Sequence, residues 1–126
     1  MDLQYLDFEI NQDDQGNASF DAMSAVAPDQ LAELKAEMLE ILGWAHQRFG
    51  APRPLEDGGE WDCELQAVQE ISTPMKIDYD VGARRMDLAP VGAGMPRISL
   101  SVTLSGTPEF GSALRQAFGL DDWVSR

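Results

Sequence analysis

The chain has 126 residues, with 22 acids against 9 bases and a formal net charge of −13. That length suits a single domain, 1–126, large enough for a core of its own. The charge argues against nucleic acid or an anionic membrane as a direct ligand, because both need a cationic surface, and no apolar run approaches the ~20 residues of a membrane span.

The start MDLQYLDFEI carries acids where an export signal needs a basic stretch. One cysteine, Cys63, cannot form an internal disulfide. A cytoplasmic location is therefore expected.

Leu6, Phe8 and Ile10 alternate with Asp7 and Glu9, the period of a strand. NQDDQGN is a turn, and Ala18, Phe20 and Ala22 alternate again, so residues 3–26 read as a β-hairpin. A helix follows. Pro28 suits its first turn, and Leu31, Leu34, Met38, Ile41, Leu42, Ala45 and Phe49 make one apolar stripe. Glu33, Glu37 and Glu40 fall outside that stripe, and Gly50 and Pro52 stop the helix. Gly43, inside it, is expected to allow close approach to a sheet.

GAPRPLEDGGE is a loop. Residues 61–71 and 75–81 alternate as strands, and Ser72-Thr73-Pro74 between them reads as a turn. Residues 84–88 are a short return strand, and PVGAGMP is a second loop. Ile98, Leu100, Val102 and Leu104 then alternate with serine and threonine. Thr107 is an N-cap, Pro108 opens a helix with Phe110, Ala113, Leu114, Ala117 and Phe118 on its apolar face, and Gly119 closes it.

The order β-β-α-β-β-(β)-β-α, with two-faced strands and two amphipathic helices, predicts an α+β two-layer sandwich. About five antiparallel or mixed strands would be covered on one side by both helices. The opposite side would then gather Asp7, Glu9, Asp21, Asp62, Glu64, Asp78 and Asp80. Pairing an acidic strand with the serine-threonine strand would keep like charges from facing each other. Such a face can solvate the sheet, dock a basic protein or bind a divalent cation. Docking of a basic partner is the functional expectation drawn from it.

Catalytic constellations are not visible. NQDDQG has Ala22 where a calcium loop of the EF-hand type needs a bidentate Glu. Cys63 lies on an apolar strand face, where a thiolate is disfavoured. His46 is the only histidine, in the last turn of the first helix, so no two-histidine zinc set exists. The lone Gly-x-Gly of VGAGMP precedes a strand, whereas a phosphate loop follows one. Arg84, Arg85 and Arg97 are expected to gather at a loop end and offset nearby acids.

The chain thus reads as non-enzymatic rather than enzymatic, with no cofactor set. Two alternatives stand beside acidic docking. One is a homodimer using apolar surface around Trp44, Trp123 and an open edge strand. The other is a small-ligand site or enzyme built from loops 50–60 and 89–97.

Overall fold

The computed structural model describes residues 3–120. It is an α+β fold in which a four-stranded antiparallel sheet lies under two helices and sends out a long two-stranded arm. The strands are β1 (Glu9–Gln12), β2 (Ala18–Val26), β3 (Trp61–Ser72), β4 (Met75–Asp80), β5 (Arg85–Pro90) and β6 (Met95–Gly106). The helices are α1 (Leu31–Phe49) and α2 (Pro108–Phe118). The main sheet has the order β1-β2-β6-β3, and β4 and β5 form a separate pair.

The hairpin β1–β2 turns where Asp13 accepts backbone N–H bonds from Gln15 and Asn17 and a side-chain bond from Asn17. Gly16 supplies the positive φ of 85° that this turn requires. Desolvation is the largest single effect and opposes the shift, but these hydrogen bonds, with one from the Gly16 N–H, together hold the Asp13 carboxyl below its ordinary pKa. The segment is the polar hairpin turn that its missing Glu implied.

The core forms where the even-numbered positions of β1, β2 and β6 meet the helices. Ile10, Phe20 and Leu104 stand in one cross-strand row and are fully buried with Leu34, Ile41, Phe110 and Leu114. Trp61 closes one end, stacked on Phe110 with ring centroids 5.7 Å apart. Gly106 beside it has no room for a Cβ, which would strike the Phe110 ring and Cβ. The Thr107 hydroxyl caps α2 at the Phe110 N–H, and Gly119 ends that helix with φ 68°.

Four expectations need correction. Gly43 does not serve close approach, since a Cβ there would meet nothing within 4 Å. Trp44 is half-buried against the core rather than free on the surface. It packs edge-on to Phe49 and Phe118 and against Phe110, with centroids 5.6–6.0 Å apart. Trp123 lies outside the described residues.

Glu37, read as outside the apolar stripe, is buried. Its carboxylate accepts the backbone N–H groups of Gln4 (2.6 Å), Tyr5 (2.9 Å) and Leu6 (2.7 Å). It thereby holds the N-terminal segment against α1.

The fourth correction concerns residues 72–74, where the chain does not reverse. β3 pairs with β6 from Trp61↔Gly106 out to Ser72↔Met95. Val91 then donates to the Pro74 carbonyl, and pairing resumes from Met75↔Pro90 to Asp80↔Arg85. Residues 73–74 face the longer 91–94, so the break is a bulge in one ladder. The true reversal is at 81–84. The last pair of β2 with β6 is Val26↔Ile98, so residues 70–97 extend past the third strand as a free ribbon, about 30 Å from Ile71 to Asp80 at the rise of a strand.

Candidate functional site

Two surfaces carry the chemistry of this chain. The first is the open face of the main sheet. The registers place Glu9, Asp21, Thr103 and Glu64 in one row and Asn11, Ser19, Ser105 and Asp62 in the next. Asp7, Glu9 and Asp21 line one shallow depression with Met23, Ser101 and Thr103, and Glu64 lines its neighbour with Gln66, Ser101 and Thr103.

The serine-threonine strand β6 separates Asp21 from Glu64 and Ser19 from Asp62, the arrangement that spares acids from facing acids. The Thr103 hydroxyl donates to Asp21. Only Glu9 and Asp21 stand directly opposite each other as like charges in these rows, and neither row contains a lysine or arginine.

Five of the seven acids predicted for this face are therefore together. Asp78 and Asp80 are on the arm, where Asp78 faces Asp87 and Asp80 faces Arg85. Lys76 lies 3.9 Å from Asp78 and Arg85 3.2 Å from Asp87. These pairs are well exposed and contribute little to stability. Among the described residues, no group of three or more His, Cys, Asp or Glu is placed to hold a metal ion.

The second surface was not foreseen. Nine of the thirteen exposed large apolar side chains of the described residues lie within 70–97, so apolar exposure is a property of the arm rather than of the molecule at large. On the β4–β5 pair it is confined to one face. Met75 opposes Pro90, Ile77 opposes Leu88 and Tyr79 opposes Met86. Ile77 is 57% exposed and Tyr79 71%. The other face carries Lys76, Ala89, Asp78, Asp87, Asp80 and Arg85.

This is the alternation of a strand with one covered face, yet among the described residues both helices pack on the main sheet and the arm's apolar side chains are left exposed. The alternation had signalled a buried face. It carries no information on whether the cover comes from the same chain.

The remaining candidates do not assemble into a reactive centre. Cys63 shares a row with Leu104 and packs against the core. Partial burial, with the Asp62 carboxylate adding to it, pushes its thiol pKa up, as expected for a packing residue. His46 makes an edge contact with Trp61 at 5.4 Å.

Arg84 and Arg85 are at the arm tip. Arg97 is at the arm base, donating to the Ala25 carbonyl at 2.9 Å, so the three do not form a patch. Loops 50–60 and 89–97 are separated by the length of β3. The first is tied to Trp61 through the Arg53 N–H, whereas the second lies beyond Ser72.

No family model matches the chain, and no match is found among curated proteins or solved structures. Among the described residues, no helix is long and apolar enough to cross a membrane.

Proposed function

We propose that this protein is a non-catalytic protein-interaction module whose contact element is the arm. The observation that supports it is the row of three directly opposed apolar pairs, Met75–Pro90, Ile77–Leu88 and Tyr79–Met86, left open on a ribbon beyond the core. Large contiguous apolar patches on a soluble chain mark interaction surfaces. A two-stranded ribbon without a packed face is only marginally stable in water, so a cover would also stabilise the arm.

The test is capture from host lysate by tagged wild type and by the combined Ile77→Asp, Leu88→Asp variant. Proteins held by wild type, including untagged copies of the chain itself, should be lost from the variant while its tryptophan fluorescence is unchanged. Equal capture by both would reject the arm as the contact element.

A second reading rests on the Glu9–Asp21–Thr103–Glu64 row and its lack of bases. This face would steer and dock a basic protein, with the arm holding what the charge attracts. Asp21→Asn, Asp62→Asn and Glu64→Gln combined should then weaken capture of basic partners, and raised salt should do the same in wild type. Salt-independent capture would count against it.

A further inference from the structure

We infer that the occupant of the arm's apolar face is a second copy of this chain, the two arms packing face to face about a two-fold axis. This inference rests on the reading of the arm as contact element and names its partner.

Charge argues first. Residues 70–97 contain four acids, Glu70, Asp78, Asp80 and Asp87, and four bases, Lys76, Arg84, Arg85 and Arg97, so the arm is neutral in a chain of net charge −13. All of the excess negative charge therefore lies outside it. A basic partner gains nothing from a neutral arm, whereas a copy can approach there without net repulsion. Nor need the strongly acidic heads touch, because the arms project beyond them.

The placement of charge is also compatible with self-pairing. Lys76, Asp78, Asp80, Arg85 and Asp87 all lie on the opposite face of the arm, so the three apolar pairs carry no charge of their own to set against a copy related by a two-fold axis.

Area argues next. The chain exposes 8626 Å², whereas a compact chain of its mass, 13.9 kDa, exposes about 6,700 Å². A standard interface takes about 800 Å² from each partner, and the arm alone exposes nine large apolar side chains. Geometry fits as well. Two ribbons, each with one apolar face, stack at about 10 Å into a four-stranded sandwich with the apolar pairs inside.

Analytical ultracentrifugation of the full chain over a protein and salt series tests this. Wild type should sediment at twice 13.9 kDa and associate more tightly as salt rises, because salt screens the acidic heads from each other. Ile77→Asp with Leu88→Asp should halve the mass and leave the melting temperature of the head intact. A wild type that stays monomeric at every salt and protein concentration overturns the inference, as does a dimer that survives in the variant. If wild type is monomeric but the variant still loses a lysate partner, the arm remains the contact element and only its occupant is wrong. If capture is also unchanged, both readings fall.

Discussion

Glu37→Ala should destabilise the fold by about 2–4 kcal/mol, a large fraction of the total for a domain of this size. The Glu37 carboxylate receives three consecutive backbone N–H groups, from Gln4, Tyr5 and Leu6, and bonds to a charged acceptor are stronger than neutral ones. Water can replace it at Gln4 and Tyr5, which are only partly buried. The Leu6 N–H is buried and would be left without a partner. Releasing this segment would also draw Leu6 and Phe8, each 4% exposed, out of the core. Urea melts should show the loss of stability, and amide exchange should show it starting at residues 4–8. Glu37→Gln keeps one acceptor oxygen and should cost about half as much. An alanine variant as stable as wild type would mean that the N-terminal segment is held by its apolar contacts alone.

Trp61→Ala should cost about 3–5 kcal/mol. The indole is fully buried, lies parallel to Phe110 within 8°, and donates from Nε1 to the Gly50 carbonyl at 2.9 Å. It joins the start of β3, the end of α1 and the first turn of α2. Truncation leaves a cavity and a carbonyl without its donor, in a region where Gly106 already admits no added atom. Trp61→Phe keeps most of the stacking and loses the hydrogen bond, so about 1–2 kcal/mol is expected. Thermal melts of both variants check this ordering. Equal losses for Phe and Ala would assign the whole effect to the Gly50 hydrogen bond.

Both helices, the first hairpin and the β6 strand were legible because each carries its own period and its own stop signals. Thr107, Pro108 and Gly119 mark α2 without help from the rest of the chain. Strand partners are different. Thr73-Pro74 has the composition of a turn, and the ladder does break there, but only the pairing of β3 with β6, more than twenty residues on, shows that the chain continues outward. Alternation marks an apolar face without saying what covers it, so the sandwich expected over 75–90 became an open arm.

Asp78 and Asp80 left the acidic face for the same reason, while Asp7, Glu9, Asp21, Asp62 and Glu64 stayed together. Glu37 did leave a trace. It sits three residues after Leu34 and four before Ile41, on the stripe's own side, and a carboxylate there needs donors. Those donors are backbone groups, which carry no side-chain signature.

The most direct test of the arm as a surface completed by a second copy is amide hydrogen exchange at residues 75–90, measured from dilute to concentrated protein. Protection there should rise with concentration while the head, reported by β2 and α1, exchanges at a constant rate. Fast exchange throughout the arm at every concentration would contradict the account.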